Sequence, residues 1–143
     1  MKPWTALLAL ALLASPAFAQ QSKTVGGLAI NLGLMPAEQA MRADGHRDAH
    51  PEKNPPGTQH ILITLDDAKT GKRIGNAEVV VEVTDPKGHA DKKPLLHTQS
   101  AGRPDYSEMF QFGWSGKYSI HVSITPKPGA KPVEARFTVN HAI

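Results

Sequence analysis

Apolar and polar residues alternate with a period of two through most of the chain beyond residue 24. In Gln59–Asp66, Ile61, Ile63 and Leu65 share one side while His60, Leu62 and Thr64 share the other, the signature of a half-buried β-strand. Ala77–Thr84 sets Val79, Val81 and Val83 against Glu78, Val80 and Glu82. The clearest alternation is in Gly116–Thr125, with Tyr118, Ile120, Val122 and Ile124 inward and Ser119, His121, Ser123 and Thr125 outward. A last strand turns Val133, Ala135, Phe137 and Val139 inward. Two shorter runs, Lys93–Gln99 and Asp105–Phe112, complete the strong signals, and the second places Tyr106, Glu108, Phe110 and Phe112 on one face. Glu108 must then sit at a rim or find a partner. Val25–Leu34 alternates weakly and carries three glycines, as an edge strand that bulges or kinks would.

Turn chemistry separates these runs. Asp67–Lys72 carries Asp, Thr and Gly and reads as a tight turn that makes Gln59–Thr84 a hairpin; Asp85-Pro86-Lys87-Gly88 and Pro126-Lys127-Pro128-Gly129 end later strands. Pro36–Met41 fits a single helical turn with Pro at its start. Arg42–Thr58 is polar and without period; connections beyond about 12–15 residues tend to be functional or disordered. Six or seven short strands and no long helix predict an all-β fold, an immunoglobulin-like antiparallel two-sheet sandwich with one long loop. Trp114-x-Gly116-x-Tyr118 adds to that reading, because a buried tyrosine there bonds back to the preceding corner in such sandwiches.

The amino-terminal segment changes the picture in one respect. Lys2, the apolar stretch Ala6–Ala14 and Ala17-Phe18-Ala19 form a secretory signal, so cleavage is expected after Ala19 and export to the periplasm follows. Residues 20–143 then form a single domain. The apolar stretch falls short of the roughly 20 residues of a membrane-spanning helix. The whole chain holds 16 Lys and Arg against 13 Asp and Glu, and no basic cluster interleaved with aromatics supports nucleic-acid binding.

LGLMPAEQAMRADGH, QHILITLDDAKTGKRIGNAEVVVEV, GKYSIHVSI and PVEARFTV together resemble small exported bacterial proteins with YtkA-like and FixH-like β-sandwich domains. The resemblance spans Leu32–Val139 and implies the sandwich fold more than a function. Related periplasmic sandwiches of the CopC type handle copper; this chain has Gln20 where their mature amino terminus carries a metal-binding histidine.

The chemistry of the chain points to metal. Cysteine is absent, which removes disulfides, thiolate metal sites and cysteine nucleophiles, whereas seven histidines follow the signal segment. Imidazole suits Cu(II), Zn(II) and Ni(II), and thioether sulfur suits Cu(I). The candidate metal ligands are His46 and His50, spaced by four, together with His60, His97 and His121. Met109 is a candidate fourth partner, and Met35 and Met41, framing the short helix, offer further sulfur. His60 and His121 would approach each other only if their strands were neighbours. His89 and His141 read as solvent-exposed. Ser107, Ser119 and Ser123 occupy no nucleophile elbow, Asp66 and Asp67 belong to a turn, and Gly26-Gly27 lacks the lysine and helix of a phosphate loop. Two expectations result: a non-enzymatic periplasmic protein that binds a transition metal, copper foremost, through histidines; or a structural module that docks an envelope protein partner by strand addition or through Arg42–Thr58.

Overall fold

The computed structural model describes residues 19–43 and 55–143. The signal segment up to Phe18, and with it His46 and His50, lie outside the described residues. The described chain forms nine strands and one short helix: β1 (Ala19–Val25), β2 (Leu28–Pro36), α1 (Ala37–Ala43), β3 (Thr58–Asp67), β4 (Glu78–Thr84), β5 (Ala90–Pro94), β6 (Leu96–Ser100), β7 (Arg103–Gln111), β8 (Gly116–Thr125) and β9 (Val133–His141). Five strands in the order β1-β2-β3-β7-β6 form one sheet, and four in the order β5-β4-β8-β9 form the other. All pairings are antiparallel. The immunoglobulin-like sandwich expected from the alternation is therefore the observed architecture. No described helix is long and apolar enough to cross a membrane.

The core lies where the inward sets meet. Ile30, Leu32, Ile61, Ile63, Leu65, Tyr106 and Phe110 of the first sheet face Val79, Val81, Tyr118, Ile120, Val122, Ile124 and Phe137 of the second. Two tyrosines tie this core to the corners. The Tyr118 hydroxyl accepts from Trp114 N (3.0 Å) and donates to Trp114 O (2.8 Å), the corner that Trp114-x-Gly116-x-Tyr118 predicts. A second corner appears at Tyr106, which accepts from Ala77 N and donates to Ile74 O, each at 3.0 Å.

Four sequence expectations change. Val25–Leu34 is not one bulged edge strand: Gly26 and Gly27, at φ +57° and +79°, make the two-residue turn of a β1–β2 hairpin. This places β2 in the sheet interior. β1 escapes the pattern because Gln21 and Lys23 occupy its inward positions. Gln59–Thr84 is not a hairpin, because β3 and β4 belong to different sheets. The Asp67–Lys72 turn returns only far enough for a single Asp66–Arg73 bridge before the chain crosses to the second sheet. Lys93–Gln99 divides at Leu95, where the chain leaves β5 in one sheet for β6 in the other, so the strand count exceeds the expected six or seven. His141 is half-buried, with Phe112 and Tyr118 edge-on at 5.5 and 5.9 Å. Glu108 does find a partner, its Oε1 accepting the Met109 N–H at 2.8 Å.

Candidate metal centre

The turn before β3 determines where His60 stands. Gly57, at φ +86°, fits a spot where a Cβ would come within 2.6 Å of Phe112 O, a conformation and clearance that only glycine meets without strain. Its carbonyl accepts Phe112 N at 2.8 Å. Thr58 donates through its backbone N to Pro55 O at 3.1 Å and through its hydroxyl to the same oxygen at 2.7 Å, while Gln111 Nε2 donates to Pro56 O. These bonds pin the start of β3 to the end of β7. On the other side, α1 packs through buried Ala37 and Ala40.

With that end fixed, the register is decided. Met35 of β2 pairs with His60 of β3, and His60 pairs with Met109 of β7. Directly opposite residues of antiparallel neighbours project to the same face with Cβ atoms about 4.5–5.5 Å apart. Leu34, Ile61 and Phe110, one position removed in each strand, are buried in the core, so Met35, His60 and Met109 form one row on the outer face of the five-stranded sheet. All three are half-buried. Lys93 Nζ, reaching over from the other sheet, donates to Met109 O at 2.7 Å.

The remaining histidines are distributed elsewhere. His121 pairs with Glu82 and Arg136 on the outer face of the four-stranded sheet, with its Nε2 3.7 Å from Glu134 Oε1. β3 and β8 are thus not neighbours, and His60 and His121 lie on opposite outer faces of the sandwich. His97 pairs with Tyr106 on the inward side of edge strand β6, its ring edge-on to the phenol at 5.1 Å; that side is the reverse of the one carrying His60. His89 bonds Asp85 Oδ2 at 3.1 Å in the β4–β5 turn. Among the described residues no three histidine or acidic side chains converge as a metal site. The donor set that does align is one imidazole and two thioethers. Met35 was legible as a strand residue: the inward set Leu28, Ile30, Leu32, Leu34 leaves position 35 pointing outward, as His60 does.

Farther along the same face the donors become oxygen. Ser22 donates to Asn31 Oδ1 (2.6 Å), Asn31 Nδ2 to Thr64 Oγ1 (3.1 Å), and Thr98 bonds both Asp105 Oδ1 and Ser107 Oγ. Between the rows, Gly33 and Leu62 help line a cavity of about 210 Å³.

No family model and no curated protein matches this sequence, so the YtkA-like and FixH-like resemblance rests on the quoted segments. Solved structures do match in fold. FetP of uropathogenic Escherichia coli strain F11, as isolated, superimposes with a TM-score of 0.64 at 12% identity, over 87% of this chain and 95% of FetP. Copper-reconstituted P19 of Campylobacter jejuni gives 0.63 at 11% identity, over 88% and 96%. A DUF4426 family protein of Pseudomonas aeruginosa PAO1 gives 0.63 at 12% identity, over 85% and 96%.

Proposed function

We propose that this protein is a non-enzymatic, exported copper-binding protein whose site is built on the row Met35, His60 and Met109. That row is the observation that carries the reading. Two thioethers and an imidazole form a soft donor set, which favours Cu(I) over Zn(II) and hard cations. Placement on three adjacent strands fixes the donors relative to one another, so little ordering opposes binding. Copper would supply one-electron redox chemistry at this row; the chain's own part is to hold the donors and to limit the access of water through their half-burial. The sandwich shared with copper-reconstituted P19 supports the reading, as does the secretory signal expected at residues 1–19. His46 and His50 belong to the connection between α1 and β3, which rejoins the sheet at Thr58, two residues before His60, and they remain candidate supplementary ligands. His97 and His121 are not assigned to this centre.

The test is an anaerobic Cu(I) titration against a chromophoric competitor. His60→Ala, Met109→Leu and Met35→Leu should each weaken binding about tenfold or more, and His97→Ala and His121→Ala should leave it unchanged. A His60→Ala/Met109→Leu protein that holds Cu(I) as tightly as the parent would overturn the assignment.

The interaction reading retains one specific support. Edge strand β6 has no strand partner on its free side among the described residues, and Leu96 is 61% exposed on its face. Loss of an envelope partner in Leu96→Lys with Cu(I) affinity intact would favour strand addition as the role.

A further inference from the structure

A second cavity lies at one end of the sandwich. The β4–β5 turn, the end of β7 and the corner before β8 surround a cavity of about 250 Å³, whose walls include Asp85, His89, Asp91, Phe110, Gly113 and Trp114. This is below the roughly 300–1,000 Å³ of sites for drug-sized ligands, so any occupant is small.

Three features separate this cavity from an ordinary surface groove. Trp114 is held by its backbone, both N and O bonded to the Tyr118 hydroxyl, yet its side chain is 46% exposed. The fold fixes the backbone that carries this ring without using the ring as core. Second, Gly113 has neither a positive φ nor a crowded neighbourhood, and a Cβ there would meet nothing within 4 Å. Backbone geometry does not require glycine at 113, which lines the cavity without a side chain. Third, the aromatic walls already attract ammonium groups. Lys87 Nζ lies 3.4 Å from the centroid of Trp114, and Lys93 Nζ lies 4.8 Å from that of Phe110.

We infer that this cavity binds a small organic cation bearing a quaternary or primary ammonium group. The exposed ring of Trp114 attracts such cations through its quadrupole, and Lys87 displays that preference within the chain itself; Phe110, 1% exposed, only backs the cavity. The carboxylates reinforce it. Asp91 Oδ2 stands 3.7 Å from Lys93 Nζ, and Asp85 is held in place by Lys87 N, His89 N and His89 Nδ1. No lysine or arginine is among the cavity's walls, and the one basic side chain there, His89, is bonded to Asp85. Lys87 lies over the ring and is the group an incoming cation would displace.

The inference is independent of the copper reading and is tested without metal. The probe is tetramethylammonium chloride, titrated into the purified protein while the Trp114 indole resonance is followed, with sodium chloride at equal ionic strength as the control. The expected result is a saturable shift with a millimolar Kd. Lys87→Gln should tighten binding several-fold by freeing the ring, and Gly113→Val should abolish it by filling the cavity while leaving the thermal midpoint near that of the parent. A shift that does not saturate, or that sodium reproduces, overturns the inference. So does a Gly113→Val protein that is folded and binds like the parent, or a Lys87→Gln protein with unchanged or weaker affinity.

Discussion

At the scale of single residues, the fold depends on a few positions whose role is invisible to periodicity. Gly57 is one: a side chain there meets the Phe112 carbonyl and adopts a strained φ. Gly57→Ala should cost about 2 kcal/mol, read as a lower urea midpoint with unchanged slope, and should also weaken Cu(I) binding because the start of β3 shifts. Tyr118 is another. Tyr118→Phe removes both bonds to Trp114 and should cost about 1–2 kcal/mol in the same measurement. Asp67 supplies a pH dependence. Backbone hydrogen bonds from Thr70 and then Lys69 hold its carboxyl below the ordinary aspartate value. A depressed carboxylate pKa contributes stability above the unfolded value of about 3.8, and that contribution disappears as pH falls through the folded value. Stability should therefore decline on acidification below about pH 4, and Asp67→Asn should flatten that part of the profile in thermal melts between pH 5 and pH 2.5.

At the scale of elements, the edges of the sandwich are treated unequally. β9 ends the four-stranded sheet, and its free carbonyls are covered from the other sheet: Gln21 Nε2 donates to Thr138 O at 2.7 Å and Lys23 Nζ to Arg136 O, with the Lys23 ammonium over Phe137. The polar inward residues that hid β1 from the alternation thus close an edge that another chain would otherwise extend. Gln21→Ala/Lys23→Ala should change stability by no more than about 1 kcal/mol, since these groups are exposed, but should raise self-association in concentration-dependent sedimentation. β5 is protected differently, by the charged and proline-ended sequence Asp91-Lys92-Lys93-Pro94. Among the described residues, edge strand β6, with Leu96 exposed, carries no such device.

At the scale of the whole molecule, the outer face of the five-stranded sheet separates soft donors from hard ones. Met35, His60 and Met109 occupy one row; Ser22, Asn31, Thr64, Asp105 and Thr98 supply amide, hydroxyl and carboxylate oxygens farther along. Because a ligand that binds only the folded state adds RT ln(1 + [L]/Kd), free Cu(I) at about 100 times Kd should add about 2.7 kcal/mol. This corresponds to a rise in Tm on the order of 10 °C for a domain of this size. Differential scanning under anaerobic conditions should show that rise in the parent and not in His60→Ala/Met109→Leu. Reductant alone should leave Tm unchanged, because the chain has no cysteine to reduce.

Alternation along single strands determined the sandwich, the inward residues of β3, β4, β8 and β9, and the Tyr118 corner, since each follows from a period or spacing within a few neighbouring residues. The histidine excess in a chain without cysteine was equally plain and directed attention to metal. Which donors meet was not local information. The pairing of His60 with Met35 and Met109, and its separation from His121 by the full thickness of the sandwich, depends on sheet membership and strand order. Those follow from the crossings after Asp67 and at Leu95, where long-range packing of two inward faces overrides the hairpin that turn chemistry favours. The sequence therefore supplied the candidate donor types, and only the tertiary structure decided that methionines, rather than further histidines, stand beside His60.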